Sequence, residues 1–430
     1  MSSVCVHGLG YIGLPTAAML ANSDHEVTGY DTDPKVRARL RDVDVPPEEP
    51  GLAEFVERAF ASGNLTIADE PVAADYHVVC VPTPFDQVSK TADLEYVRSA
   101  GRAIAGPLRP GDTVILESTV PPGTTVEELG AILESSDLSV GDDFALAHSP
   151  ETVLPGNILT ELRENDRIVG GVDTASVESA VRLYESFIEG SIRTVTDPTI
   201  AEFVKLIQNT SRDVNIALAN EIAKIAGDYG IDSREAIALA NSHPRVDILQ
   251  PGPGVGGHCL PVDPWFLGEG SDELDLIETA RQVNDTMSTY VIEILRSELG
   301  ALGGNKIAIL GVAYKGNVGD TRMSPGLKLA RELQYVDAEQ QLLTTDGGAV
   351  EQPEIAIHDP HVTDSTLELT DLQTATTDAD AVIIATDHDE FQRLDLTKLG
   401  ERMRGRTIID TKGIMDLSTW RQAGFTIRRI

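Results

Sequence analysis

The sequence predicts an α/β protein in which two doubly wound parallel-sheet domains are joined by a central helical region. Three observations lead there. Short β-rich runs alternate with segments of helical period before residue 197, and again after residue 301. Between them, Thr199–Ala226 contains neither Gly nor Pro, so its spacing predicts one long helix. A chain of 430 residues exceeds one ordinary core and fits about three domains. We place these at 1–197, 198–300 and 301–430.

The elements follow in order. Val4–His7 reads as a strand, Gly8–Gly13 as a glycine turn, Leu14–Asn22 as a helix and Glu26–Tyr30 as a second strand. Further strands are predicted at Tyr76–Val81, Thr113–Glu117, Phe144–His148 and Arg167–Gly170. Beyond Asp197-Pro198 the pattern is helical, broken by a loop at Pro251–Pro264, and a connecting helix is expected around Leu276–Leu299. Strands resume at Ile307–Val312, Glu354–His358, Ala381–Ala385 and Thr407–Asp410, with a polar loop at 343–353. The two α/β ends read as distant echoes of one plan.

Charge excludes some partners. There are 69 acidic and 34 basic residues, a formal charge of −35, and nine lysines against 25 arginines. The acidic residues are spread along the chain, as at Asp42–Asp44, Asp142–Asp143 and Asp378–Asp389, so they form no disordered tail. Such a diffuse acidic surface fits a folded enzyme in a salt-rich cytoplasm, where screening removes self-repulsion. It offers no basic stripe for nucleic acid. Cys5, Cys80 and Cys259 make no even disulfide set and show no metal spacing, which favours a reducing compartment and no metal site. No apolar run reaches membrane-spanning length, and the chain enters its first strand without a basic leader. The expected location is the cytoplasm.

Gly8-Leu9-Gly10-Tyr11-Ile12-Gly13 is G-x-G-x-x-G at a strand-to-helix junction. Glycines there let the backbone approach a pyrophosphate seated on the helix N-terminus. Asp31 ends the second strand, where a carboxylate bonds a ribose 2′-hydroxyl; its charge favours NAD over NADP. The first domain is therefore read as a Rossmann-like NAD site. Val79–Pro84, with Thr83, and Glu117–Gly123, with Thr119, lie at strand ends, where open sheets bind ligands. Cys80 reads as a buried small hydrophobe. Gly252–Asp263 sets Cys259 on a glycine loop beside His258, with Asp263 four residues on. Spacing alone leaves structural and nucleophilic readings of Cys259 both open. Lys205, Asn209 and Arg212 or Asp213 share one face of the long helix. Such a face is ordinarily a solvated stripe; here it could instead line a cleft and donate to an oxyanion.

At this point the wording GLGYIGLPTAAMLA, VCVPTP, ESTVPPGTT, SPETVLPGN, KLIQNTSRDVNIALANE, HPRVDILQPGPGVGGHCLPVDPWF and GVAYKGNVGDTRMSP resembles the UDP-glucose/GDP-mannose dehydrogenase family nearly end to end, and in the family's order. The resemblance implies an N-terminal Rossmann domain for NAD, a central helical dimer core and a C-terminal Rossmann-like domain for the UDP part. It implies oxidation of the sugar's C6 alcohol to an acid with two NAD and one water. Cys259 becomes the nucleophile, forming a thiohemiacetal and then a thioester. Lys205 and Asn209 match oxyanion-stabilising positions, and Glu151 matches the carboxylate for thioester hydrolysis. Thr119 and Asp263 match the pair that positions water. Lys315 matches a substrate-contacting lysine, and the loop at Gly256 lies in the substrate site. Arg245 resembles an arginine that reaches the sugar site from the neighbouring subunit of a homodimer, and Arg322 pairs with phosphate or cofactor.

The SPETVLPG, SRDVN and GGHCLPVDPWF forms resemble the members acting on UDP-N-acetylmannosamine. UDP-N-acetylglucosamine and UDP-glucose remain alternatives with the same chemistry. A two-electron hydroxyacid dehydrogenase shares the Rossmann domain and the Lys/Asn helix but needs no thiol. A fold-retaining protein without turnover is a third reading, which an intact set of site residues opposes.

Overall fold

The computed structural model describes residues 1–45, 49–336 and 351–430. The loop expected at 343–353 falls mostly outside them. Contacts group the chain into two compact units. One comprises Met1–Gln208 with Asp263–Asp272, the other Asn209–Val262 with Glu273–Ile430. The long helix runs from Pro198 to Tyr229, 32 residues, and the grouping cuts it between Gln208 and Asn209.

The first unit is built on an eight-stranded sheet. Its strands are β1 Ser3–His7, β2 Glu26–Tyr30, β3 Leu65–Ile67, β4 Tyr76–Val79, β7 Thr113–Leu116, β8 Ala145–His148, β9 Arg167–Gly171 and β10 Ile192–Val195, with a separate hairpin of β5 Phe85–Asp86 and β6 Thr91–Ala92. The sheet order is β10-β9-β8-β7-β4-β1-β2-β3, and β5 pairs β6. Every sheet pairing is parallel except β8 with β9. The strand order reverses at β1 and β4, so a crevice opens beyond their carboxyl ends.

Alternation within the strands explains the two helical layers. Val4, Val6, Val78 and Ile115 face one core, packed with Leu14, Ala17 and Leu20 of the Gly13–Asn22 helix. Val79, Val114 and Leu116 face the other, with Val97, Ile104 and Leu133. A period of two thus distributes apolar side chains to both faces, as a covered parallel sheet requires. Each fully buried Leu or Ile adds about 1.5–3 kcal/mol.

The second unit carries a five-stranded parallel sheet: β11 Lys306–Leu310, β12 Glu354–His358, β13 Ala381–Ile384, β14 Thr407–Asp410 and β15 Thr426–Arg429, ordered β12-β11-β13-β14-β15. Ile307, Ile309, Ile383 and Ile409 face one core, while Ala308, Leu310, Val382 and Ile408 face the other. The architecture is thus two doubly wound α/β sheets plus a long helix, as the sequence predicts.

Two details differ from expectation. The connecting helix is two helices, Asp275–Asp285 and Met287–Leu299. Thr286 divides them, its hydroxyl donating back to the Gln282 and Val283 carbonyls and competing with the helical ladder. The strand beginning at Arg167 runs against its neighbour β8, a reversal that periodicity does not encode.

The long helix starts with Pro198, preceded by Asp197, whose side chain accepts from the Thr199 amide. It ends at Gly230, where φ is +66°.

Candidate active site

The glycine turn forms at the end of β1. Gly8 has φ of +88°, and a Cβ there would lie 2.7 Å from the Cys80 carbonyl oxygen. A Cβ on Gly13 would lie 1.8 Å from the Gly8 carbonyl oxygen. Packing within the chain accounts for both glycines. Gly10 differs, because a Cβ there would meet nothing within 4 Å among the described residues. Open space over an exposed backbone at the start of a helix is what a pyrophosphate needs, so the turn fits a dinucleotide. Ile12 precedes the helix without a side-chain cap, and Tyr11 is 40% exposed with its hydroxyl on Glu49. The Asp31 carboxylate accepts from the Leu9 amide through one oxygen and the Asp33 amide through the other, both at 2.8 Å. These bonds fix its orientation and leave each oxygen a further lone pair for a ribose hydroxyl.

The loops after β4 and β7 are tied together. Thr83 donates to the Thr119 carbonyl at 2.7 Å, and Ser118 to the Val81 carbonyl at 2.7 Å. Below them lies a buried group that sequence reading missed. The Glu117 carboxylate receives Arg167, Tyr184 at 2.6 Å, Thr16 at 3.3 Å and the Cys80 thiol at 3.2 Å. Burial and the Glu117 charge push the Cys80 thiol and Tyr184 hydroxyl well up. Cys80 is therefore an inert thiol, as expected. Glu202 on the long helix receives the Gly123 and Thr125 amides and the Thr125 hydroxyl; burial pushes its carboxyl up to about 7. It braces the turn that follows Thr119.

Lys205 follows Glu202 by three residues on that helix. It is 7% exposed, and its Nζ lies 3.5 Å from Glu151 Oε1. Glu151 Oε2 accepts from the Val153 amide. His148 ends β8 fully buried, with no hydrogen-bond partner on either ring nitrogen among the described residues. Burial, with Arg167 and Lys205 nearby, lowers its pKa to about 3, so it stays neutral. Asn209 and Asp213 are also buried whereas Arg212 is exposed. The 205–209–213 face is thus no solvated stripe. Asp263, 3% exposed, opens the short helix Asp263–Gly268.

In the second unit the thiol loop lies flat on the segment after β11. A Cβ on Gly256 would come within 2.8 Å of the Met323 carbonyl oxygen and within 2.9 Å of Tyr314 Cβ. Gly257, at φ +87°, has the Tyr314 ring 3.1 Å from where its Cβ would be, and its amide donates to the Arg322 carbonyl. The Arg322 guanidinium clasps Asp320 at 2.9 and 3.0 Å, and the Cys259 sulfur is among the groups holding it protonated. Arg322 thus stands by the thiol loop. Lys315 is exposed on the same segment, and Arg245 is exposed on the turn after the Ser233–Ala240 helix, its amide on His243.

A polar lock unnoticed in the sequence holds the loop's other end. Asp213 pairs with Arg281 at 2.6 Å and accepts from Asn284, while Asn220 donates to Asn284 and accepts from the Gly252 amide at 2.8 Å. Breaking one partner of such a buried pair costs about 3–5 kcal/mol. Only buried exposure values, invisible in one sequence, distinguish these residues from surface charge.

Two further groups offer metal-type ligand atoms among the described residues. In one, His7 Nε2 and His77 Nδ1 face each other at 3.2 Å, with Cys5 nearby. In the other, His388 accepts from the Asn317 amide on Nδ1 and bonds Asp359 through Nε2, so both nitrogens are already engaged.

Residues 2–188 match the NAD binding domain of the UDP-glucose/GDP-mannose dehydrogenase family, 199–286 its central domain and 308–417 its UDP binding domain. A UDP-N-acetyl-D-mannosamine dehydrogenase of Methanococcus maripaludis is 42% identical over 436 residues, covering 100% of this chain and 96% of the relative. An NDP-N-acetyl-D-galactosaminuronic acid dehydrogenase of Ralstonia solanacearum is 42% identical over 421 residues, 96% of each chain. The solved UDP-D-ManNAc dehydrogenase of Pyrococcus horikoshii superposes with a TM-score of 0.88 at 39% identity, covering 100% of this chain and 99% of that one. With its glycine turn and three matched domains, the chain belongs to the UDP-glucose/GDP-mannose dehydrogenase family and is an NAD-dependent UDP-sugar dehydrogenase.

Proposed function

We propose that the chain oxidises the C6 alcohol of UDP-N-acetyl-D-mannosamine to the carboxylate, a four-electron reaction through covalent Cys259. The observation that carries the chemistry is the thiol set on a glycine loop beside Arg322. The sugar is carried by the relatives named for it at 42% identity over the whole chain.

Gly8, Gly10, Tyr11, Ile12, Gly13 and Asp31 would hold NAD, which would supply a hydride acceptor for C6 in each of two rounds, the hydroxyl proton of the first leaving to a base or water. Thr83 and Thr119 border the same crevice. The chain's own groups do the rest. Lys205 and Asn209 donate to oxygen as it gains negative charge at C6. The Cys259 thiolate adds to the C6 aldehyde, forming a C–S bond and a thiohemiacetal that cannot escape. Loss of the second hydride leaves the thioester. Water positioned by Thr119 and Asp263 then attacks the acyl carbon; Glu151 takes its proton, and the C–S bond breaks to return the thiol and release the acid.

Gly256, Arg245 and Lys315 contact the substrate in this reading. The functional division is 1–197 for NAD, 198–300 for the helical core with the thiol loop, and 301–430 for UDP; each matched family domain falls inside one segment. The chain acts as a cytoplasmic homodimer in which Arg245 serves the neighbouring subunit's sugar. Exposed Ile200, Phe203, Ile207, Leu218, Ile225 and Tyr229 along one helix support an intersubunit face. The acidic surface suits it to high salt.

The test is NADH formed per limiting UDP-sugar at high salt. Two NADH, with N-acetylmannosamine preferred, is expected; one NADH would rule out the thioester. Preference for N-acetylgalactosamine, to which the Ralstonia relative's name points, would keep the chemistry and change the sugar.

A further inference from the structure

Glu49 is a carboxylate only 6% exposed, and it joins two pieces of the first unit. Its Oε1 accepts from the Tyr11 hydroxyl at 2.5 Å and from the Gly156 amide at 2.8 Å; Oε2 accepts from the Ile158 amide at 3.4 Å. Tyr11 stands in the middle of the glycine turn. Gly156 and Ile158 close the segment that begins at Glu151.

Neither piece needs this tether for its own local fold. Gly8 and Gly13 seat the turn by backbone packing, and the Leu154 amide is already held by Glu161. A phenol on a buried carboxylate is a charge-assisted bond, among the stronger kinds. Placing it between an exposed turn residue and two backbone amides links the positions of both.

We infer that Glu49 is a positioning residue that couples occupancy of the dinucleotide turn to the placement of Glu151, and hence of its partner Lys205. The inference rests on the function proposed above. When the turn is filled, Tyr11 is fixed in place. Its hydroxyl holds Glu49, and Glu49 holds the 156–158 backbone, so Glu151 presents its carboxylate to Lys205 over a narrower range. Coupling of this kind is reciprocal: cofactor and sugar nucleotide each raise the other's affinity by one factor.

The experiment is calorimetric titration of the full chain with UDP-N-acetyl-D-mannosamine, with and without saturating NADH, for wild type, Glu49→Gln and Tyr11→Phe. Wild type is expected to bind the sugar nucleotide about fivefold or more tightly when NADH is present. In both variants that ratio falls toward one, read at an NADH concentration that saturates each variant. A residue that merely stabilised the fold would lower thermal stability without moving the ratio. Tyr11→Phe removes a single hydroxyl from a half-exposed ring, so it keeps the question open to test even where Glu49→Gln folds poorly. A wild-type ratio of one, or a ratio unchanged in both variants, overturns the coupling. Failure of the wild type to bind NADH would instead overturn the functional reading, and the coupling with it.

Discussion

The turn after β1 and the turn after β11 follow one local plan toward different ends. Gly8 and Gly311 have φ of +88° and +95°, and each donates its amide at 2.8 Å to the residue ending the adjacent strand, Tyr30 or His358. A Cβ on Gly13 would strike the Gly8 carbonyl, and one on Gly326 the Gly311 carbonyl at 2.4 Å. Asp31 accepts from the Leu9 amide, and Asp359 from the Val312 amide at 2.7 Å. The resemblance ends at the carboxylates. Asp359 also takes the Ala313, His361 and Val362 amides and His388, and is 7% exposed. Two residues past the first glycine, Gly10 faces open space where Ala313 is 2% exposed. One turn leaves its acid with two amide donors and its backbone open. The other spends both on its own chain, and residues 312–324 become the bed of the thiol loop.

The largest expected effect lies on that bed. Cys259→Ser should lower acid production by at least about a thousandfold while NADH and UDP-sugar still bind. Normal acid output would show that the second turn supports no covalent chemistry.

The two aspartates sharpen the contrast. Asp359→Asn should destabilise the protein by about 2–4 kcal/mol without altering the choice between NAD and NADP. Bonds to its charged form hold its carboxyl at about 2, below the ordinary 3.8. A depressed folded pKa contributes stability that is complete above about 4 and lost as pH falls toward 2. Acid unfolding of the Asn variant should therefore show a shallower slope in that window. Asp31→Ala should do the reverse. It weakens NAD about 10- to 100-fold and narrows discrimination against NADP, with little change in melting temperature. Equal thermal losses in both variants would erase the distinction.

The smallest effect is steric. Gly10→Ala should change stability by no more than about 0.5 kcal/mol, yet raise the NAD dissociation constant roughly tenfold. Unchanged NAD affinity would mean the pyrophosphate does not approach there.

Much of this was legible in the sequence. β2, β12 and β14 begin and end at the residues their patterns predict. The glycine turn could be read from spacing, because a tight strand-to-helix turn is a local device. β3 and β10 were missed, since three residues are too few to show alternation in the first, and two adjacent exposed polar residues, Arg193 and Thr194, break it in the second. Glu49, Glu202 and the Asp213–Arg281 pair were invisible for another reason. Nothing nearby in sequence marks an acidic residue as buried when its donors arrive from 38 or more residues away. In a chain this acidic, the few inward-facing carboxylates are hidden among many that face water.

The three cysteines carry a practical consequence. Burial pushes the Cys5 thiol up to about 11, and burial with the Glu117 carboxylate pushes Cys80 well above its ordinary value, while Cys259 sits on the glycine loop with Arg322 near it. Alkylating reagents attack thiolates, so at neutral pH they should find one residue out of three. The native chain is thus already a single-site labelling substrate: a fluorophore or spin probe attached without mutagenesis would report from the glycine loop around Cys259.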